Sequence, residues 1–148
     1  MTAGLIVGVL VLAAATAFGR SRRRRDGRLA PPGPRRAAEP SGQASAAQRI
    51  TTAQLGQPLG ARATLLQFSA EFCAPCRATR QVLDEVASGT DGVTHVEVDA
   101  GERLDLVRML DVRRTPTVFV LGPDGQVARR GSGLMRKADV LAALGEVG

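Results

Sequence analysis

EFCAPCR, residues 71 to 77, holds the two cysteines of the chain, Cys73 and Cys76, three apart around Pro75. Two thiols at that spacing admit three readings: a redox pair that opens and closes as a disulfide, half of a metal site, or two inert neighbours. A structural zinc site takes about four N or S ligands, and the chain offers two Cys and one His. Metal binding would need a dimer, so neither a metal nor an organic cofactor is expected. The elements that carry the pair separate the two remaining readings.

Past Ile50 the pattern is α/β. TLLQFS (Thr64 to Ser69) is an apolar run of strand length, and CRATRQVLDEVA (Cys76 to Ala87) places Val82, Leu83 and Val86 at helical spacing. VTHVEVD (Val93 to Asp99) predicts a strand, and RLDLVRMLDV a helix with Leu104, Val107 and Leu110 on one side. TVFVLG and GQVARRG, joined through GPDG, predict a hairpin, and RKADVLAAL (Arg136 to Leu144) a closing helix. RITT (Arg49 to Thr52) is a candidate short edge strand. In TAQLGQPLGAR (Thr52 to Arg62), two glycines and a proline leave a turn, or no helix at all, as the expectation.

This order puts the cysteines just after the first central strand, at the start of the following helix. Unpaired N–H groups and the positive end of the helix dipole stabilise a thiolate there and lower its pKa. Cys73 is therefore the expected nucleophile. Cys76, one turn in, is placed to close the ring and release a bound substrate. Pro75 fits the first turn, where its missing N–H has no partner to lose. A redox pair is the reading this junction favours.

The stretches FSAEFCAPC, RRTPTVFVLGPDGQV and GSG together resemble the thioredoxin family over about residues 50 to 148. The resemblance implies a thioredoxin fold, a central mixed β-sheet flanked by helices. It makes Cys73 the attacking cysteine, Cys76 the resolving one, and Pro116 a cis proline packed opposite the pair. It further assigns Phe72, Ala74, Pro75, Thr115 and Gly133 to the surface that receives a substrate chain. Phe72 stands where the family usually has Trp, and Ala74 where it usually has Gly. Gln67 replaces a buried Asp that many thioredoxins use to move the resolving cysteine's proton, and His95 falls at that acid's Lys partner. A neutral amide cannot serve as a tuned general base. Two readings of His95 follow: an imidazole titrating near neutral that moves the proton of Cys76, or a partly exposed strand residue without a role, paired with Gln67 by a neutral hydrogen bond. Glu71 and Arg77 read as solvated charges beside the pair.

Ahead of this domain, Thr2 to Gly19 carries no charged side chain and approaches the roughly 17 to 25 residues of a membrane-crossing helix. ATA (Ala15 to Ala17) resembles a signal-peptide cleavage site, but no basic residue precedes the apolar run and RSRRRR follows it directly. The reading is an anchor over residues 1–19, a basic, Pro/Ala/Gly-rich disordered linker over 20–48, and a folded domain over 49–148. Nine arginines against Asp26 and Glu39 give the first 49 residues a net charge of +7, while the rest is near neutral at −1. The basic face that nucleic-acid binding needs is thus not expected on the domain. Arg20 to Arg25 would meet lipid headgroups and, by the positive-inside rule, hold the domain in the cytoplasm, with an extracytoplasmic domain as the alternative.

The expected function is a membrane-tethered thiol–disulfide oxidoreductase acting on disulfide-containing proteins and recycled by a separate reductase. The alternative is a non-catalytic redox-sensing or binding module on the same fold.

Overall fold

The computed structural model describes residues 10–20, Leu29 and 48–147. Residues 10–20 are helical (α1) and exposed. Among the described residues, no helix is long and apolar enough to cross a membrane. The start of the expected span, the arginines at 22–25 and nearly all of the linker lie outside the described residues.

The domain opens with α2 (Thr52–Leu55), a single turn that exists because its ends are capped. Thr51 Oγ1 accepts from the Gln54 N–H while the Gln54 side chain accepts from the Thr51 N–H, and Gly56 closes the turn at φ 76°. This turn also ends the candidate edge strand. Only Arg49 bridges Gln126, and the Ile50 N–H donates to the Gly125 carbonyl before the chain leaves the sheet.

β1 (Ala63–Ser69) is buried along its whole length, as an uncharged run covered on both faces must be. α3 (Ala74–Ser88) turns Cys76, Thr79, Leu83 and Val86 inward. β2 (Val93–Asp99) then runs parallel to β1. α4 (Leu104–Met109) is shorter than the apolar spacing predicts, because Asp111 adopts a left-handed φ of 50° that breaks the turn. β3 (Thr117–Leu121), β4 (Val127–Ser132) and α5 (Lys137–Gly145) complete the chain.

The four-stranded sheet has the order β2-β1-β3-β4, with β3 antiparallel to β1 and β4 antiparallel to β3. It is buried between two apolar layers. On one side Leu65, Leu83, Val86, Val118, Val120, Val140 and Leu144 join α3 and α5 to the sheet. On the other, Ile50, Leu66, Phe68, Leu106, Leu110 and Phe119 lie under α2 and α4. Phe68 and Phe119 meet edge to face at 5.8 Å, and the Arg130 guanidinium covers the Phe119 ring at 5.2 Å. Burial pulls the Arg130 pKa down, opposed by the charge of Asp111.

Candidate redox site

Two facts of the chain put the cysteines just beyond the C-terminal end of the central strand β1. β1 runs out at Ser69, and Pro75 sits in the first turn of α3 with its ring pre-set for helix. Between them Cys73 takes the N-cap position with extended backbone, and its Sγ accepts the Cys76 N–H at 3.3 Å. A sulfur thus occupies the place where a Ser or Asp oxygen usually caps a helix. The Thr115 hydroxyl is a second, longer neighbour of Cys73 Sγ at 3.9 Å. Cys73 and Cys76 are joined as a disulfide with their Cα atoms 5.2 Å apart. The pair is asymmetric: Cys73 is half-buried, whereas Cys76 is 1% exposed.

Around the pair, Ala74 and Pro75 are exposed, and Phe72 stands out from the surface at 90% exposure. Its backbone is left-handed at φ 57°, an uncommon state for a bulky residue. The Thr115–Pro116 peptide is cis, with Thr115 half-buried and Pro116 buried. The Pro116 carbonyl accepts the N–H of Gly133, whose φ is 92°. The loop before β3 and the loop after β4 are thereby tied together beside the disulfide. Buried Thr79 of α3 accepts the Met135 N–H at 3.5 Å, a link between these loops and α3 that the sequence does not signal. Glu71 and Arg77 are exposed. No group of three or more His, Cys, Asp or Glu side chains suited to a metal occurs among the described residues.

Gln67 and His95 do not pair with each other, contrary to one expectation. Gln67, fully buried on β1, donates from Nε2 to the Cys76 carbonyl at 3.0 Å. His95 lies opposite Leu65 on β2, and its Nδ1 is 2.6 Å from Asp84 Oδ1 on α3. As a residue His95 is half-buried, as expected, while its side chain is 6% exposed. Between these two contacts Arg80 and Glu97 form a two-pronged ion pair, each contact 2.6 Å. The Glu97 hydrogen bond, then its charge, raises the Arg80 pKa. Asp84 is the residue that sequence reasoning missed. Only the packing of α3 on β2 brings it to His95, and its sole sequence signal is a position eight residues, about two turns, after Cys76. A cavity of about 220 Å³ beside α5, lined by Leu29, Arg129, Asp139, Ala142, Ala143 and Glu146, shares no residue with this site.

A capped, half-buried sulfur bonded to a buried one at a helix N-terminus defines a thiol–disulfide redox protein. The thioredoxin family model matches residues 49–146, and the chain belongs to that family. The chain is 31% identical over 77 residues to a thioredoxin of Mycoplasma pneumoniae, covering 52% of this chain and 74% of that one. It is 34% identical over 85 residues to a thioredoxin of Mycobacterium bovis, covering 56% and 72%. Among solved structures, chloroplastic thioredoxin z superposes with a TM-score of 0.52 at 27% identity, covering 58% of this chain and 78% of that one. A thioredoxin of Halobacterium salinarum, at 23% identity and a TM-score of 0.53 over 58% and 74%, shows the fold alone.

Proposed function

We propose that this protein is a membrane-tethered protein-disulfide reductase in which Cys73 attacks and Cys76 resolves. The observation that carries the reading is the asymmetry of the pair, with Cys73 Sγ capped by a helix N–H and half-buried while Cys76 is enclosed. In the reduced state that N–H and the helix dipole favour the Cys73 thiolate. The thiolate attacks one sulfur of a substrate disulfide; the S–S bond breaks, and its electron pair leaves with the first substrate thiolate. Cys76, as thiolate, then attacks Cys73 Sγ and expels the second. The substrate gains two electrons and two protons, and the protein is left with the Cys73–Cys76 disulfide for a recycling reductase to reopen. Phe72, Ala74 and Pro75 give the incoming chain an apolar landing beside the sulfur, with Thr115, Pro116 and Gly133 as the opposite wall.

The apolar N-terminus and Arg20 to Arg25 support anchoring in a membrane with the domain on the cytoplasmic side. In that compartment such a pair works as a dithiol reductant.

Reduction of insulin by the full-length chain in detergent, driven by a small dithiol, tests the activity. Turnover is expected. C76S should accumulate a mixed disulfide through Cys73, and C73S should neither turn over nor trap. A disulfide that forms reversibly without any turnover would sink the enzyme reading and leave a redox-sensing or binding module. For the membrane side, an impermeant maleimide should label Cys73 only after cells are permeabilised; labelling of intact, gently reduced cells would place the domain outside.

A further inference from the structure

Leu29 is the one Leu, Ile, Val, Met or Phe between Phe18 and Ile50, and it does not stand free in solvent. It is half-buried and packs against the apolar layer that joins α3 and α5 to the sheet. With Arg129 of β4 and Asp139, Ala142, Ala143 and Glu146 of α5 it lines the cavity of about 220 Å³. Those α5 positions follow the i, i+3, i+4, i+7 spacing of one helix face, so two alanines make a notch between two carboxylates. Arg136 holds Asp139 at 2.7 Å, and Arg129 pairs with Glu146 across from β4 to α5. With both acids paired, the notch offers apolar surface, which fits an aliphatic side chain better than a basic one.

A second point of the linker is held on the same side of the domain. The Gln48 carbonyl accepts the Val127 N–H, and Arg49 bridges Gln126 just ahead of β4. β4 is an outer strand of the sheet, and proteins commonly cover such an edge with another part of the chain. Leu29 and Gln48 thus both lie against the β4 side.

We propose that the linker is strapped to the domain at Leu29, seated in the notch between β4 and α5, and that the strap shortens the tether of the redox pair. This inference rests on the membrane-tethered reductase reading and adds a substrate class to it. From Arg20 to Leu29 an extended chain spans at most about 30 Å, against about 100 Å from Arg20 to Arg49. Strapped, the pair reaches one short tether plus one domain diameter from the lipid surface, about 60 Å. None of the residues lining the notch belongs to the surface around Cys73, so the strap limits reach without covering the site. The substrates it selects are proteins whose disulfides lie close to the membrane surface.

The test uses the full chain in vesicles of phosphatidylcholine with a minority of phosphatidylglycerol. Brief trypsin digestion reads the strap, with cutting after Arg28 measured against cutting after Arg36 in the same chain. A142E fills the notch from an exposed helix position and leaves the linker and the redox pair unchanged. Relative cutting after Arg28 should be about tenfold faster in A142E than in the wild type, the factor that half-burying one Leu provides. Reach is read with two lipid-anchored disulfide reporters, one at the surface and one on a rigid spacer about 80 Å long, past the strapped limit and within the released one. The wild type should reduce the near reporter alone. A142E and L29S should reduce both, and all three proteins should reduce soluble insulin at the same rate. Equal trypsin ratios in wild type and A142E would overturn the strap. A protected Arg28 bond in a wild type that still reduces the far reporter would overturn the shortened tether. Failure of the wild type to reduce insulin would remove the reductase reading, while the trypsin ratio still decides the strap. Should A142E fail to fold, L29S, changed in the linker alone, decides it through the far reporter: no gain of reduction there overturns the proposal.

Discussion

Phe72 concentrates the residue-scale argument. The ring is 90% exposed and the backbone left-handed, so the residue contributes no core burial and carries a conformational cost of about 1 to 2 kcal/mol. Asn tolerates that backbone state better than a bulky aromatic. F72N should therefore melt no lower than the wild type in a thermal scan, yet raise the KM for a protein disulfide severalfold, since the apolar landing beside Cys73 is lost. A lower melting temperature with unchanged KM would show that the ring serves the fold instead. The two cysteines were legible in the sequence because their chemistry depends on a local feature, the first turn of a helix. The separate partners of Gln67 and His95 were not. Each has a choice of partners, and the choice was made by α3, which reaches one with the Cys76 carbonyl and the other with Asp84.

Among the elements, the entry segment shows how a weak sequence signal becomes structure. The Ile50 N–H donates to the Gly125 carbonyl and the Val127 N–H to the Gln48 carbonyl, clamping the segment against the β3–β4 hairpin. Gly125 has φ 78°, and a Cβ there would lie 1.9 Å from the Ile50 carbonyl oxygen. Gly56 has nearly the same φ, 76°, with nothing within 4 Å of its Cβ position. G56A should cost about 1 kcal/mol from backbone strain alone, and G125A at least about 2 kcal/mol, strain plus displacement of the clamp. Urea midpoints at constant m-value measure both; equal losses would mean that the clamp yields freely. The long elements were readable from their periods, and β2 spans the predicted residues Val93 to Asp99. α2 was not, since one turn has too few residues for a period and is held by the Thr51 and Gln54 caps.

At the scale of the molecule, the sheet is a partition between two cores, and the disulfide sits beyond the C-terminal end of its central strand β1. Phe119 is 1% exposed and packs against Phe68 and Arg130. F119A should cost about 3 to 5 kcal/mol, read as a lower thermal midpoint with the redox pair unchanged. The Cys73–Cys76 bond closes a short ring, worth about 2 kcal/mol in the chain-entropy account. The oxidised protein should therefore unfold at a higher denaturant concentration than the reduced one by that amount. Equal midpoints would mean that hydrogen bonds to the Cys73 thiolate offset the lost cross-link.

By itself the sequence determined the strand and helix order, the redox pair at a strand-to-helix junction, and the division between a basic N-terminal stretch and a near-neutral domain. These follow from side-chain period, turn chemistry and charge, all of which act between near neighbours. Tertiary structure alone decided that Cys76 is enclosed while Cys73 meets the surface, that Thr79 holds the loop after β4, and that Asp84 rather than Gln67 holds His95. Those contacts join residues distant in sequence, and they are set by how α3 seats on β1 and β2 when both bury their apolar faces.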